Sequence, residues 1–184
     1  MRIDADGANG QSSAPVYAPK GYKPDPLDYL ANAGGPGNWY GVVTDTGKAN
    51  GKPILQKEGM PAPGAYVSAT SYEHKGFSRG DPRRYVDANS VFYFVLPSHW
   101  RAQAKGVVLG CRGRVTDTKT GKTLDCVVAD FGPKAESKLG EASIATARYF
   151  GIPSSPKNGG TDTKRFIYQF WPDQPAPGFE LQPM

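Results

Sequence analysis

Two carboxylic side chains stand where their surroundings should push them to opposite protonation states. Asp130 ends the apolar run Val127-Val128-Ala129 and precedes Phe131-Gly132-Pro133, where the chain must turn. Removing water from an acid in that position disfavours its charged form and keeps the proton on. Glu141 follows 11 residues later in Leu139-Gly140-Glu141-Ala142-Ser143-Ile144-Ala145, at the start of an Ala-rich stretch, 141–150, that reads as a helix. Unpaired N–H groups and the dipole at a helix start favour the ionised form. One protonated and one ionised carboxyl group are what glycosidic-bond hydrolysis needs, the first as acid and the second as base or nucleophile. The same spacing also suits a bland arrangement, an Asp that caps a turn and a Glu that caps a helix.

The elements that must carry this pair read as short strands. The chain has 184 residues, enough for one domain with a real core, and its 38% hydrophobic and 11% aromatic content argues against disorder. The 23 Gly and 17 Pro favour strands joined by turns over a helix bundle. Strand-like pieces fall at 40–44, 54–56, 65–70, 91–96 (stopped by Pro97), 107–116, 123–130 and 165–171. Asp117-Thr118-Lys119-Thr120-Gly121 has the composition of a hairpin turn between two of them. Leu27 to Ala33 allows at most two helical turns before Gly34-Gly35-Pro36-Gly37, and the 141–150 helix is closed by Gly151 and Pro153. The expected fold is mostly β with minor α: a single-domain, six-stranded β-barrel with one or two short helices. Residues 1–26 read as an extended N-terminal arm and 27–184 as the barrel domain. No run approaches the 18 or so apolar residues of a membrane-spanning helix.

Other chemistries find little support. Cys111 and Cys126 have their midpoint between Thr118 and Lys119, inside the predicted turn, so the two are expected to be cross-strand neighbours joined by a disulfide. Two buried free thiols are the alternative. A cysteine nucleophile needs a helix N-terminus or a histidine beside it, and Cys111 sits in a strand pattern. His74 and His99 are the only histidines, both on loop-like segments, which leaves a Ser-His-Asp triad or a His-based metal site poorly supported. Nothing calls for a metal or an organic cofactor. The net charge of +5 is spread without a basic stripe, so nucleic acid is not expected as a partner. Residues 1–7, Met-Arg-Ile-Asp-Ala-Asp-Gly, lack an apolar signal core.

The motif Val128-Ala129-Asp130-Phe131-Gly132-Pro133, followed by Leu139-Gly140-Glu141-Ala142-Ser143-Ile144, resembles the signature of the family 75 glycoside hydrolases, which are chitosanases. Pro61-Ala62-Pro63-Gly64-Ala65-Tyr66-Val67-Ser68, Tyr85-Val86-Asp87-Ala88, Tyr93-Phe94-Val95-Leu96-Pro97 and Phe166-Ile167-Tyr168-Gln169-Phe170-Trp171-Pro172 fall in that family's order, so the likeness spans about residues 38–173. It implies endo-acting hydrolysis of β-1,4 bonds in an amino-sugar polymer with inversion, with Asp130 and Glu141 as the essential pair. Inversion needs room for a water, which sets the carboxyl groups roughly 6.5–9.5 Å apart. A second likeness, carried by Arg114-Val115-Thr116-Asp117, Thr120-Gly121-Lys122 and the Asp130 motif, is to the double-psi β-barrel of rare-lipoprotein-A transglycosylases, expansins and family 45 glycosidases. There the Asp before Gly-Pro is the general acid. That implies Asp130 as acid and Glu141 as the base that activates water, an assignment the sequence leaves open to exchange.

Chitosan is a polycation, so a +5 protein opposes it unless acids line the cleft; Asp87, Asp81 and Asp173 are the candidates from sequence. Sugar rings stack on aromatic faces, and Trp39, Tyr40, Tyr66, Trp100 and Trp171 could supply them, with Trp39 the choice for a cleft wall and Asn38 beside it as a hydrogen-bonding partner. The basic balance would suit peptidoglycan instead, cleaved by a secreted antibacterial toxin. A non-catalytic carbohydrate-binding barrel and a cysteine amidase are further readings. A polysaccharide is thus the expected partner of a monomer that is secreted or delivered outside the cell without a recognisable cleavable signal peptide.

Overall fold

Strands form where the apolar runs alternate or saturate. Strand β5, Cys111–Asp117, buries every second residue, so Cys111, Gly113, Val115 and Asp117 face inward. β4, Tyr93–Pro97, is buried throughout, and β6, Thr123–Gly132, is buried from Cys126 to Ala129 on both faces, the pattern of central strands. These come from a computed structural model that describes residues 1–9, 34–98, 106–132, 139–156 and 158–183. The expected helix at 27–33, residues 10–26 of the expected arm, His99, Trp100 and Pro133 lie outside the described residues.

One mixed six-stranded sheet organises the chain, in the order β1-β7-β4-β6-β5-β8, with β1 at Arg2–Asp4, β7 at Glu141–Ser143 and β8 at Phe166–Pro175. β1 runs parallel to β7 and β4 parallel to β6, while the β7–β4, β6–β5 and β5–β8 pairs are antiparallel. A two-stranded ribbon joins β2, Gly34–Gly35, to β3, Asn38–Trp39. The expected strands at 40–44, 54–56 and 65–70 make only isolated bridges, Val42 with Ser68, Thr44 with Pro53 and Leu55 with Tyr66. They enclose a small second cluster of Val43, Val67 and Tyr85, separate from the main core around Phe94, Leu96, Val115 and Val128. Strand β8 runs through Pro172 to Pro175 because it is an edge strand, where a missing N–H breaks no ladder.

Three expectations need correction. The first nine residues are no free arm: β1 pairs with β7, and Asn9 donates from Nδ2 to Ser68 O (2.8 Å) while its Oδ1 accepts Ser68 N–H (2.7 Å). The 141–150 helix is a three-residue strand followed by α1, Ile144–Tyr149, because Ser143 caps it by accepting Thr146 N–H. The third is the disulfide, which does not form; both cysteines are free and buried. The hairpin register sets Gly113 opposite Cys126 and Arg112 opposite Val127, so its midpoint lies between Lys119 and Thr120 and the cysteines are offset diagonally by two residues. Asp117 enforces that register, since its carboxylate accepts Lys119 N–H (3.0 Å) and Thr120 Oγ1–H (3.0 Å) within the turn.

Cys111 instead accepts Val108 N–H and donates to Gly106 O, and burial pushes the Cys126 thiol up to about 12. A neutral thiol is a poor nucleophile. We therefore expect a thiol reagent to label neither cysteine in the native protein and both after denaturation, and dithiothreitol to leave the melting temperature unchanged. A melting temperature lowered by reductant would reinstate the disulfide.

Candidate active site

Asp130 reaches the surface of a cleft because its strand carries a bulge. Phe94 pairs with Val128 but Val95 with Asp130, so Ala129 is an extra residue in β6. The carbonyl of Ala129 accepts Tyr72 N–H (2.9 Å), which seats the 70–72 loop against the bulge. From that loop Ser71 clamps the acid: its N–H (2.9 Å) and its hydroxyl both donate to Asp130 Oδ1, which also accepts Phe131 N–H (2.7 Å). Among the described residues no donor reaches Oδ2. Asp130 is 5% exposed, and burial together with the charge of nearby Asp4 pushes it up to about 8, against the pull of those hydrogen bonds.

Glu141 opens β7, opposite Arg2 of β1. It lines the same cleft as Asp130, a depression of about 770 Å³ that Tyr40 also borders. Its position three residues before α1 corrects the expectation of a helix-start acid: no helix terminus holds it ionised. Burial, then the Asp4 charge, push it up to about 7, while Arg2 pulls it down. Both carboxyls are thus pushed above the ordinary carboxylate value by burial and a third acid, which corrects the expectation that their surroundings drive them to opposite protonation states.

That third acid and a fourth were missed in the sequence. Asp4 and Asp6 flank the cleft, and one carboxylate oxygen each from Asp4, Asp6 and Asp130 lies within 4.8 Å of the others. Asp4 accepts Asp6 N–H (2.9 Å) on Oδ1 and Tyr93 O–H (3.1 Å) on Oδ2. With Asp130 Oδ1 already taking three donors, the trio is a hydrogen-bonded acid group. Its sequence signal was the alternation Ile3-Asp4-Ala5-Asp6, which places two acids on one face of an extended segment.

The other expected site residues disperse. Trp39 is 9% exposed and packs edge-to-face on half-buried Tyr66 at 5.5 Å, and neither lines the cleft. Its neighbour Tyr40, 54% exposed, takes the wall position instead, since neighbours in an extended chain point to opposite sides. Asn38 is exposed outside the cleft. Asp87 is a turn acid, accepting Asn89 N–H (3.0 Å) and Ser90 Oγ–H (2.7 Å). Trp171 lies under the guanidinium groups of Arg112 (4.7 Å) and Arg114 (5.5 Å), away from the cleft. Asp81 caps the 3₁₀ turn Pro82–Arg84, and Asp173 does not border the cleft either. His74 packs on Tyr72 at 5.2 Å. Among the described residues no helix is long and apolar enough to cross a membrane.

No protein-family model matches this chain, and a comparison with curated proteins finds no match either.

Proposed function

We propose that the protein is an inverting, endo-acting glycoside hydrolase of an amino-sugar polymer, with chitosan as the substrate. The observation that carries this reading is that Asp130 and Glu141, brought from different strands, border one cleft, with Asp130 buried and, among the described residues, clamped through one oxygen only. Protonated Asp130 gives its proton to the glycosidic oxygen as the C1–O bond breaks. Ionised Glu141 takes a proton from a water whose oxygen bonds to C1 on the opposite face, which inverts the anomeric centre. The resemblance to family 75 chitosanases supports the same pair, and the separate likeness to double-psi β-barrel proteins supports Asp130 as the acid.

The cleft chemistry favours chitosan over peptidoglycan. Although the chain carries +5, acids outnumber bases among the described residues around the cleft: with Asp130 holding its proton, Asp4, Asp6 and Glu141 still stand against one Arg2. A polycation is attracted there and repelled elsewhere. Ammonium groups of the bound polymer would also draw Glu141 below its value in the empty cleft, towards the ionised form that a base requires. Tyr40 offers a sugar platform. The reading has the protein act as a monomer outside the cell on an insoluble or viscous polymer.

The test is reducing-end release from chitosan and from peptidoglycan in parallel, with Glu141→Gln beside the wild type. We expect release from chitosan, lowered about 10²–10⁴-fold in the variant. Release from peptidoglycan alone would transfer the reading to a wall hydrolase. Binding without release from either would make the protein a carbohydrate-binding module and leave Asp130 and Glu141 as structural acids.

A further inference from the structure

Asp4 has no role in the two-carboxyl chemistry above, yet it is buried against the acid that performs it. Its side chain is 7% exposed, and both its oxygens are fixed, Oδ1 by Asp6 N–H and Oδ2 by the Tyr93 hydroxyl. The hydroxyl shares its one proton between Asp4 Oδ2 and Asp6 O (2.8 Å), so Tyr93, a fully buried residue of β4, ties the Asp4-Ala5-Asp6 turn to the central sheet. From the other side Gly7 N–H donates to Ser68 Oγ (2.9 Å), and Ser68 Oγ–H to Gly41 O (2.9 Å). Asp4 is thus built into the site by three elements remote in sequence.

Its surroundings leave the pair of acids uncompensated. Among the described residues, the titratable and charged groups that share the cleft with Asp4 and Asp130 are Arg2 and Asp6 from the N-terminal segment, Tyr40, and Glu141 of β7, with Tyr93 of β4 bonded to Asp4. Among the described residues no ion pair reaches either carboxylate. An oxygen of Asp4 lies within 4.8 Å of one of Asp130, with both side chains out of water. Two carboxyl groups that close cannot both ionise without strong repulsion.

We propose that Asp4 is a positioning residue for the reaction: it is the anionic neighbour that keeps the catalytic proton on Asp130. This rests on the hydrolase reading above, in which Asp130 is the acid. The division of labour follows from the donors. Their placement decides, not their number: Asp6 N–H and Tyr93 O–H occupy both oxygens of Asp4, so a proton there would displace a donor, and Asp4 is the member of the pair that gives up its proton first. The proton left on Asp130 has Oδ2 to occupy, since the three donors converge on Oδ1.

The test is a carboxyl-carbon NMR titration of protein labelled at aspartate, with the Asp130 signal assigned by its loss in Asp130→Asn, and with the pH dependence of chitosan hydrolysis measured on the same samples. In Asp4→Asn the like charge is gone, so the Asp130 midpoint falls by about one pH unit or more, a tenfold weaker hold on the proton. The alkaline limb of kcat/KM moves down with it. A purely structural role for Asp4 would lower activity evenly and leave both midpoints in place. Tyr93→Phe keeps the ring in the core but removes a donor that favours the Asp4 anion. It moves the Asp130 midpoint in the same direction by less, and decides the matter should Asp4→Asn not fold. An unmoved Asp130 midpoint in a folded variant overturns the proposal whether or not chitosan is cleaved. A shifted midpoint in a protein that cleaves no polymer would leave the coupling standing and remove the hydrolase reading.

Discussion

Asp130→Asn lowers chitosan turnover about 10²–10⁴-fold while the fold persists, and the variant loses less stability than the wild type as the solution is made alkaline. The two halves of that result come from one substitution because Asn imitates the protonated acid in everything except donating its proton. Its carbonyl oxygen can keep the three donors now on Oδ1, from Ser71 N–H, Ser71 Oγ–H and Phe131 N–H. Its amide occupies the Oδ2 side, which takes no donor among the described residues, and is as uncharged towards the nearby Asp4 as the protonated acid is. What it cannot do is release a proton to a departing sugar oxygen. For stability the direction follows from the folded protein holding Asp130 protonated up to about 8, well above the ordinary carboxylate value of 3.8. The contribution of that proton to stability is complete below about pH 4 and is lost as pH rises through 8. Wild-type melting temperatures measured between about pH 6 and about pH 9 should therefore decline, and those of Asp130→Asn should decline less. Glu141 and Asp4 remain in the variant, so some slope persists. A variant that keeps wild-type turnover would sink Asp130 as the acid. A variant that melts early at every pH would mean the amide cannot take the place of the buried carboxyl.

Local sequence carries the two carboxyls on which the chemistry turns, and distant pairing carries the rest. Asp130 is legible because three apolar residues before it and a Gly after it describe a buried strand arriving at a turn. The hairpin of β5 and β6 is legible from its turn residues, but its register is not: a two-residue slip leaves the same side chains on the same face, so the periodic pattern cannot tell Cys126 opposite Cys111 from Cys126 opposite Gly113. The side chain that decides is Asp117, which bonds into the turn instead of pointing to solvent. At Glu141 the Ala-rich composition outweighed the cap at Ser143, and tertiary pairing with β1 then claimed 141–143 as strand. For Asp4 and Asp6 the alternation sets both acids on one face but does not say what that face meets. They reach Asp130 and Glu141 only through the parallel pairing of β1 with β7 at the far end of the chain. A segment rich in Gly and Asp, read alone, is indistinguishable from a solvated arm.

That dependence on β1 gives a second large effect, at Gly7. Its φ of +77° is a backbone conformation that residues with a Cβ adopt at a penalty of about 1–2 kcal/mol. An added Cβ would also run into the Val86 carbonyl oxygen and come 2.9 Å from Thr70 Cγ2. Val86 is fully buried, and its own N–H donates to Thr70 Oγ1 (3.0 Å), so neither neighbour can step aside cheaply. Crowding of this kind typically adds about 1–3 kcal/mol. We expect Gly7→Ala to destabilise by about 2–5 kcal/mol, which at roughly 2–4 °C per kcal/mol for a chain of this size lowers the melting temperature by about 10 °C. Gly121→Ala is the matched control, with φ of +72° in the β5–β6 turn and no atom within 4 Å of the added Cβ. It bears the backbone term alone. The pair separates packing from conformation, because equal losses would mean that the N-terminal segment is not seated against Val86. The Gly7 variant carries a second signature. Moving the Asp4-Ala5-Asp6 turn away from Tyr93 and Ser68 takes the anionic neighbour from Asp130, so the protein that still folds at low temperature should show the alkaline limb of its activity displaced downward, as in Asp4→Asn. Gly121→Ala, far from the cleft, should leave that limb where it is.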